Sequence, residues 1–397
     1  MTEAGVVGQD GSASTALFHI FSLRPDYETN LPVLEAKLPN ERFFWARTTG
    51  TKRPVRSLGS NFHPAKMAES PMAKPNVLVI CPPEHYVLRN LEPIRDAANI
   101  HIGNELAYVE EHARDAQIIL YSGLAGNTVP LREVWPYARK VRWIHSLSAG
   151  VDNLLFPELI ASPVLMTNAR GVFKRSLAEF VVLGILYFYK RVRRLVESQR
   201  AHKWDDFRVE WLPGKIMGVV GYGEIGRECA MLAKAVGIKI HATRRKVELS
   251  ANDPVLERVF APTQLREMLS EVDVVLAAAP LTPETRHMIS EAEFNAMKSS
   301  AIVINVGRGP VIDEAALIRA LQERRIAGAA LDVFEVEPLP TDHPFYDMDN
   351  VLLSPHCTDR TRDPDWLDLS MQCFVDNFWR YTRREELENL VDKKAGY

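Results

Sequence analysis

Three glycines at the start of a predicted helix are well suited to hold a phosphate group. An apolar stretch at 215–220, which predicts a strand, leads directly into them. The motif reads Gly221-Tyr222-Gly223-Glu224-Ile225-Gly226. In this setting Gly221 permits a tight turn, Gly223 lets the backbone approach a pyrophosphate, and Gly226 lets the helix pack closely on the strand. Because the helix N-terminus adds unpaired N–H groups and the positive end of a dipole, the motif predicts a dinucleotide-binding site.

The end of the next predicted strand, near 238–243, favours a phosphate on the ribose over a free hydroxyl. An NAD-binding chain places Asp or Glu there, about twenty residues after the first glycine, against the ribose 2′-hydroxyl. Here the strand ends in Thr243, Arg244 and Arg245, and no acidic residue follows until Glu248. A carboxylate would repel a 2′-phosphate, whereas a hydroxyl and two guanidinium groups would bind one. The sequence therefore predicts NADP as the cofactor, with NADPH preferred over NADH; a solvated basic strand end is the alternative.

Alternating strands and helices position these residues within two α/β units. The second unit is predicted to have strands near 216–220, 238–243, 272–278, 301–306 and 328–333 and helices near 224–236, 262–270, 290–298 and 313–324. Strands of the first unit are predicted at 76–81, 118–121 and 141–147. Between the units, one long helix is predicted at 176–197, apolar almost all round its first half. Such a helix is buried in a core or against another subunit, and we therefore predict a homodimer built on the 176–200 region.

The order of elements predicts α/β architecture with two doubly wound, Rossmann-like domains, each built on a parallel sheet. We expect residues 173–354 to form a dinucleotide-binding domain inserted in a substrate domain made of residues 76–172 and 355–397. The last segment would return to the substrate domain because the dinucleotide unit is already complete. Residues 1–75 are rich in Gly, Ser, Thr and Pro and lack a sustained period, which predicts a poorly ordered N-terminal extension.

Composition narrows the range of partners. A net charge of −3 gives no reason to expect nucleic acid or an anionic membrane. The longest apolar run, 180–189, is too short to span a bilayer. Four cysteines show no disulfide or metal-ligand spacing and fit a reducing compartment: Cys81, Cys229, Cys357 and Cys373. We expect no metal site and a cytoplasmic location, or an organellar one if residues 1–75 include a transit segment.

Six motifs in order resemble those of the D-isomer-specific 2-hydroxyacid dehydrogenases, and the resemblance covers roughly 76–397. Besides the glycine motif they are Ala149-Gly150-Val151-Asp152, Pro280-Leu281-Thr282-Pro283-Glu284-Thr285, Asn305-Val306-Gly307-Arg308-Gly309, the stretch 331–338 with Asp332 and Glu337, and Ser354-Pro355-His356. The resemblance implies hydride transfer between a nicotinamide cofactor and a small 2-oxoacid of the glyoxylate or hydroxypyruvate class, which is interconverted with its D-2-hydroxyacid.

Arg308, Glu337 and His356 match the catalytic positions of that family. Reduction of a 2-oxoacid needs a hydride source, a proton donor for the ketone oxygen, and a cation for the carboxylate. Arg308 follows a predicted strand and carries a permanently charged fork suited to a carboxylate. His356 would protonate the developing alkoxide and take the proton back in the reverse direction, while Glu337 raises its pKa and orients the ring.

Further roles are predicted around this set. The backbone N–H groups of Ala149 and Gly150 could form an anion nest for the substrate carboxylate. Asp332 matches the family position that faces the nicotinamide amide. The remaining predicted cofactor contacts outside the glycine motif and the basic strand end are Pro280, Thr285, Val306 and Gly307.

Two other functions stay open at this point. One is a dinucleotide-sensing corepressor or scaffold on the same fold, and the other is an enzyme of the D-3-phosphoglycerate dehydrogenase type. Fold alone does not decide between them. The choice of 2-oxoacid is also open, because it depends on residues around 81–85, 121–126 and 357–360. In the last of these, Cys357-Thr358-Asp359 departs from the small Gly- or Ala-rich run common in the family.

Overall fold

Two parallel sheets with helices on both faces form the part of the chain that the computed structural model describes, residues 74–123, 129–250 and 252–397. These residues all belong to one compact unit. The predicted α/β class with two doubly wound sheets is confirmed. The extension predicted for residues 1–75 lies outside the described residues, apart from positions 74 and 75.

The first sheet has the strand order β2-β1-β3-β4-β5, and all of its strands run parallel. Its strands are β1 (Asn76–Ile80), β2 (Asn99–Gly103), β3 (Ile118–Tyr121), β4 (Trp143–Ser146) and β5 (Leu165–Asn168). Alternate side chains enter two different cores. Leu78 and Ile80 face one and Val77 and Val79 face the other, as expected for a strand that is covered on both faces.

The second sheet has the order β12-β11-β10-β9-β6-β7-β8, again parallel throughout. Its strands are β6 (Ile216–Val220), β7 (Lys239–Thr243), β8 (Arg258–Phe260), β9 (Val274–Ala277), β10 (Ile302–Asn305), β11 (Gly328–Leu331) and β12 (Val351–Leu353). The order reverses between β6 and β9, and in open α/β sheets ligands bind beyond the carboxyl ends of the strands at such a switch point.

The strands that the sequence did not predict are β2, β5, β8 and β12, which are the outermost strands of the two sheets. Edge strands are covered less completely than central ones, so they need no continuous apolar run. β2 reads Asn-Ile-His-Ile-Gly and is only partly buried, and β8 and β12 have three residues each. The apolar pattern is therefore weak where a sheet ends.

The α-helices pack over both faces of the sheets. They are α1 (Leu106–Ala113), α2 (Leu131–Val134), α3 (Pro157–Ala161), α4 (Lys174–Tyr189), α5 (Val192–Arg200), α6 (Glu224–Ala235), α7 (Leu265–Glu271), α8 (Glu291–Ala296), α9 (Glu314–Gln322) and α10 (Trp366–Thr382). Short 3-10 helices occupy Tyr86–Ile94, Val247–Leu249, Pro262–Gln264, Gly309–Val311 and Pro344–Asp347. No helix of the described ranges is long and apolar enough to cross a bilayer.

The single helix predicted for 176–197 is wrong. The chain forms α4 and α5 instead, because Arg191 adopts a left-handed conformation with φ 52° and ψ 45° that interrupts the helical path. Helix α4 packs so closely on the second sheet that a Cβ atom on Gly184 would lie 3.0 Å from the Cβ of Ala330. Most of the apolar surface of α4 is thus covered within the subunit, whereas α5 buries none of its residues.

Helix α10 returns to the first sheet. Leu367, Met371, Phe374 and Phe378 share a core with its strands, and the ring of Phe374 stacks 5.4 Å from that of Trp143. The last residues of the chain continue along the edge of the same sheet, where the N–H of Val391 donates to the carbonyl of Met166 at 2.8 Å. The domain bounds at 172/173 and 354/355 stay predictions.

Candidate active site

The glycine motif lies in the strand–turn–helix setting that its chemistry requires, between β6 and α6. Gly221 has φ 96°, and a Cβ there would come within 2.5 Å of the backbone nitrogen of Ala279. A Cβ on Gly226 would lie 2.5 Å from the carbonyl oxygen of Gly221. Only glycine fits at either position. Gly223 caps the N-terminus of α6, and no heavy atom of the described residues lies within 4 Å of where its Cβ would be, so the backbone is open to a ligand there.

Glu224, in the first turn of α6, faces a residue that the sequence analysis missed. The Nε atom of Arg170 lies 3.4 Å from the Oε1 atom of Glu224. This arginine follows β5 of the first sheet, so the pair joins the two sheets beside the glycine turn. A cation next to the only acidic side chain of the motif offsets its repulsion of a pyrophosphate. The basic residue Arg170 is visible in the sequence Asn168-Ala169-Arg170, but only the fold brings its side chain to the glycine loop.

The basic strand end lies beside the same turn. The N–H of Tyr222 donates to the carbonyl of Thr243 at 3.3 Å, which ties the end of β7 to the glycine loop. Thr243 is buried, Arg244 is partly buried and Arg245 is exposed. The Nη1 atom of Arg244 donates a hydrogen bond to the hydroxyl of Ser250 at 2.5 Å. The structure thus places the three residues predicted to select the cofactor at one strand end.

The loop after β9 and the turn after β10 form the next parts of this edge. The hydroxyl of Thr285 donates to the carbonyl of Pro280 at 2.6 Å, which closes the loop on itself. The N–H of Val306 donates to the carbonyl of Ala277 at 3.2 Å, and a Cβ on Gly307 would lie 2.9 Å from the carbonyl oxygen of Ala279. Both segments therefore border the carboxyl ends of the strands near the switch point.

Arg308 contacts the first sheet through an ion pair. Its Nε donates to the Oδ1 atom of Asp152 at 3.0 Å, and its Nη1 donates to the carbonyl of Gly307 at 2.9 Å. A Cβ on Gly150 would lie 1.4 Å from the Nη2 atom of Arg308, so the guanidinium rests directly on the Ala149-Gly150 backbone. Asp152 belongs to a motif visible in the sequence, but nothing local indicates that it meets a residue 156 positions away.

The loop of Ala149 and Gly150 is held by its neighbours. The side-chain amide of Asn168 donates to the carbonyl of Ala149 at 2.5 Å, and the hydroxyl of Ser148 donates to the carbonyl of Gly150 at 3.0 Å. Within the described ranges, the N–H groups of Ala149 and Gly150 have no hydrogen-bond acceptor. Two such N–H groups beside a guanidinium can bind a carboxylate by donating hydrogen bonds to its oxygens.

His356 and Glu337 form a hydrogen-bonded pair. The Nδ1 atom of His356 lies 2.6 Å from the Oε2 atom of Glu337, whose other oxygen accepts the N–H of Phe334 at 2.9 Å. The hydrogen bond to Glu337 raises the pKa of His356 and outweighs burial, which acts to lower it. Burial acts to raise the pKa of Glu337, but the hydrogen bonds from His356 and Phe334 lower it overall. The carboxylate thus fixes Nδ1 as a donor and leaves Nε2 as the nitrogen for proton transfer.

The charge of Arg308 also acts on His356. It lowers the pKa of His356, but by less than Glu337 raises it. The three predicted catalytic residues therefore lie in one electrostatic environment, beyond β10, β11 and β12 respectively. Their individual catalytic roles stay predictions.

Asp332 supports the backbone around His356. One of its oxygens accepts the N–H groups of Cys357 and Thr358 at 3.1 and 3.3 Å, and the other accepts the hydroxyl of Thr358 at 2.6 Å. His356 itself has φ 48°, a left-handed conformation that most side chains avoid. Such a conformation persists where the surroundings determine it, and buried Asp332 supplies that restraint. Its predicted contact with the nicotinamide amide stays a prediction.

The segments predicted to shape the substrate side-chain pocket are only partly described, since residues 124–126 lie outside the described ranges. In the last segment the thiol of Cys357 is exposed, while Thr358 is bound to Asp332. Burial raises the pKa of Asp359, and the charge of Asp332 acts in the same direction. The surroundings of His356 therefore include an additional acidic group.

The chain is similar to known proteins of one family. The family described as D-isomer specific 2-hydroxyacid dehydrogenase, NAD binding domain, matches residues 182–358. A glyoxylate reductase of Aeropyrum pernix is 35% identical over 272 residues, which is 65% of this chain and 78% of the relative. Glyoxylate/hydroxypyruvate reductase B of Salmonella typhi is 35% identical over 297 residues, 72% of this chain and 89% of the relative.

A solved structure shares the architecture. The D-isomer specific 2-hydroxyacid dehydrogenase from Xanthobacter autotrophicus Py2, in complex with NADPH and MES, superposes with a TM-score of 0.68 at 26% identity and covers 82% of this chain and 100% of its own. The relatives are similar over most of their length, and the motifs lie at the strand ends that bind ligands in this fold. The chain therefore belongs to the D-isomer specific 2-hydroxyacid dehydrogenase family.

Proposed function

We propose that this oxidoreductase reduces a small 2-oxoacid to its D-2-hydroxyacid with a reduced nicotinamide cofactor. The observation that carries the proposal is the convergence of Arg308 with the His356–Glu337 pair beside the backbone of Gly150. A fixed cation next to a histidine with a raised pKa is suited to an anionic substrate whose carbonyl oxygen must gain a proton. The names of the relatives make glyoxylate and hydroxypyruvate the first candidates.

In the proposed mechanism, the Nη2 group of Arg308 and the N–H groups of Ala149 and Gly150 bind the substrate carboxylate. The same guanidinium polarises the adjacent ketone, because charge develops on its oxygen during reduction. The Nε2 of His356 gives its proton to that oxygen, and Glu337 stabilises the imidazolium beforehand. In the oxidative direction neutral His356 takes the proton back. When bound, the reduced nicotinamide supplies the hydride to the carbonyl carbon.

The nicotinamide cofactor fits the residues at the edge of the second sheet. The turn at Gly221 and Gly223 would receive the pyrophosphate, with the N-terminus of α6 behind it. The walls of the site would come from Tyr222, Glu224, Ile225, Gly226, Pro280, Thr285, Val306, Gly307 and Asp332. We further propose that NADPH is preferred over NADH, because Thr243, Arg244 and Arg245 offer a hydroxyl and two cations to a 2′-phosphate.

We also propose that the cofactor lies between a substrate domain, 76–172 with 355–397, and a dinucleotide-binding domain, 173–354. The contacts of Arg308 with Asp152 and of Arg170 with Glu224 support this arrangement, because each joins the two sheets near a predicted ligand site.

We also propose a homodimer, which is now supported by exposed apolar side chains and not by an uncovered long helix. Helix α4 is mostly covered within the subunit, by α6 and the second sheet, but Leu183 on α4 and Leu195 on α5 stay about half exposed. The extended segment after α5 adds Trp204, 97% exposed, and Trp211, 74% exposed. We propose that these side chains belong to one interaction surface, because large exposed apolar patches mark such sites. We expect the mass of a dimer in light scattering, and a monomer at micromolar concentration would contradict it.

Turnover tests the function directly. Consumption of NADPH is followed by its absorbance with glyoxylate, hydroxypyruvate and a bulkier 2-oxoacid, for the wild type and for Arg308→Ala. We expect turnover with at least one small 2-oxoacid that the variant loses. Cofactor binding without turnover of any 2-oxoacid would favour a dinucleotide-sensing role instead. The free cysteines of the described ranges support a reducing compartment such as the cytoplasm, which imaging of the tagged full chain would test.

A further inference from the structure

Arg245 is in contact with an aromatic ring from the far end of the chain. Its guanidinium carbon lies 5.1 Å from the centroid of the Tyr397 ring, within the range of a cation–π interaction. Arg245 follows β7 of the second sheet, whereas Tyr397 belongs to the segment 391–397, which runs along the first sheet. The residue proposed to read the 2′-phosphate is therefore touched by the other half of the molecule.

The segment 391–397 is firmly attached to the first sheet. Val391 donates its N–H to the carbonyl of Met166 at 2.8 Å. The Nζ of Lys393 lies within 2.9 Å of three carbonyl oxygens, those of Leu159, Ser162 and Val164. An ammonium group with three carbonyl acceptors is held in one position, so the chain on either side of Lys393 is fixed as well.

The segment also closes on itself. The Oδ1 atom of Asp392 accepts the N–H groups of Lys394 and Ala395, each at 3.0 Å, and the N–H of Asp392 donates to the carbonyl of Tyr397 at 3.1 Å. The ring of Tyr397 is thus carried by a compact turn. It is 38% exposed, which leaves part of its surface for Arg245.

Arg245 has a second neighbour of opposite charge. Glu284, in the loop between Pro280 and Thr285, has a lowered pKa; the hydrogen bond from Thr282 is its main cause and the charge of Arg245 adds to it. An exposed arginine with a carboxylate near it would tend to turn toward that carboxylate. The contact with the Tyr397 ring restricts the guanidinium and favours a position at the strand end.

We infer that Tyr397 is a positioning residue for cofactor selection, which holds the Arg245 guanidinium where a 2′-phosphate would bind. This inference rests on the proposed preference for NADPH. An arginine that is already ordered loses less rotamer freedom when it binds a phosphate, so its net contribution to affinity is larger. Since the ring belongs to the segment on the first sheet, NADPH binding would also favour close approach of the two sheets.

Substitutions at Tyr397 test the inference through the dissociation constants of NADPH and NADH, measured by nucleotide fluorescence. Tyr397→Ala removes the ring, and we expect it to weaken NADPH about two- to five-fold, the effect of an exposed cation–π contact. NADH affinity should not change. Tyr397→Phe keeps the ring and should bind both nucleotides like the wild type. Equal weakening of NADPH and NADH in Tyr397→Ala, or no weakening of NADPH, would overturn the inference.

A double-mutant cycle with Arg245→Ala separates this inference from the proposed cofactor preference. If Tyr397 acts through Arg245, then Tyr397→Ala has no further effect on NADPH binding once Arg245 is alanine. An additional loss in the double variant contradicts the inference. If Arg245→Ala alone leaves the NADPH-to-NADH ratio unchanged, the role of Arg245 in the preference fails. If that ratio falls but Tyr397→Ala has no effect, only the role of Tyr397 fails.

Discussion

Replacement of Glu337 by glutamine should move the pH dependence of the reaction, because the carboxylate maintains the raised pKa of His356. Glutamine keeps the shape and a hydrogen-bonding oxygen but removes the charge 2.6 Å from Nδ1. Burial and the charge of Arg308, which both lower the pKa of His356, would then be opposed only by the weaker effect of the charge of Asp332. The pKa of His356 should fall below its ordinary value.

The size of this effect follows from the pair's exposure. A hydrogen bond to a charged group contributes about 1.5–3 kcal/mol. The side chains of His356 and Glu337 are 38% and 33% exposed, so solvent screening reduces that contribution. A remaining difference of about 1.4 kcal/mol corresponds to roughly one pH unit. We therefore expect a shift of about one unit toward acid.

The sign of the change differs between the two reaction directions. Reduction requires protonated His356, so it proceeds below the pKa and is lost as pH rises through it. In Glu337→Gln the loss should begin about one unit lower, and reduction at pH values above both midpoints should be about ten-fold slower from this cause alone. Oxidation requires neutral His356, so it should persist to lower pH in the variant.

Single-turnover reduction rates measured across pH provide the assay. Any loss that is independent of pH reports the orientation of the ring, whereas a moved midpoint reports its proton affinity. Glu335→Gln is the matched control, since Glu335 lies two residues away and pairs with exposed His287 at 2.8 Å. Its profile should equal that of the wild type. If the midpoints of Glu337→Gln and the wild type coincide, the carboxylate does not set the pKa of His356 and the reasoning fails.

Four further changes test the site. Removing the general acid by His356→Ala should lower kcat by about 10²–10⁴-fold; unchanged turnover would refute its role. Arg308→Ala should abolish saturation with 2-oxoacid, while the affinity for NADPH, measured by fluorescence, stays near that of the wild type. A matching loss of NADPH affinity would assign the residue to the cofactor instead. Asp152→Asn should raise KM for the 2-oxoacid more than it lowers kcat, because it removes the negative charge that pairs with the Nε of Arg308; an unchanged KM would show that the ion pair does not position the guanidinium. Arg244→Asp combined with Arg245→Ala should reverse the preference toward NADH by at least about ten-fold in relative Kd, since each charge-assisted bond contributes about 1.5–3 kcal/mol, and the gap in the wild type should narrow at high salt.

The sequence was sufficient for the parts of the fold that follow a local pattern. Central strands such as β6 and β10 are continuous apolar runs, and the glycine motif has a mechanism only between a strand and a helix. The break between α4 and α5 was missed because Arg191 has no local property that indicates a left-handed conformation. Tertiary packing determines that position, and an apolar pattern on both sides of it reads as a single helix.

The candidate site also combines features that follow from local motifs with contacts that depend on tertiary packing. Arg308, Glu337 and His356 could be recognised from their motifs, and so could the pairing of His356 with Glu337, but the partner of Arg308 could not. The contacts of Asp152, Arg170 and Tyr397 join the parts of the chain that build the two sheets. They link positions between 54 and 156 residues apart, as with Arg170–Glu224 and Asp152–Arg308. Only the fold specifies such pairs.

Asp332 shows why partners matter for the chemistry and not only for stability. A strand-end aspartate in this family motif was assigned to the cofactor, yet its oxygens accept three hydrogen bonds from Cys357 and Thr358. Those bonds hold the chain directly after His356, whose left-handed backbone directs the ring at Glu337. A general acid must keep its proton within hydrogen-bond reach of the substrate oxygen, and a displacement of about 1 Å can cost about 10²-fold in rate. We therefore expect the proton affinity of His356 to depend on Glu337 and its position to depend on Asp332.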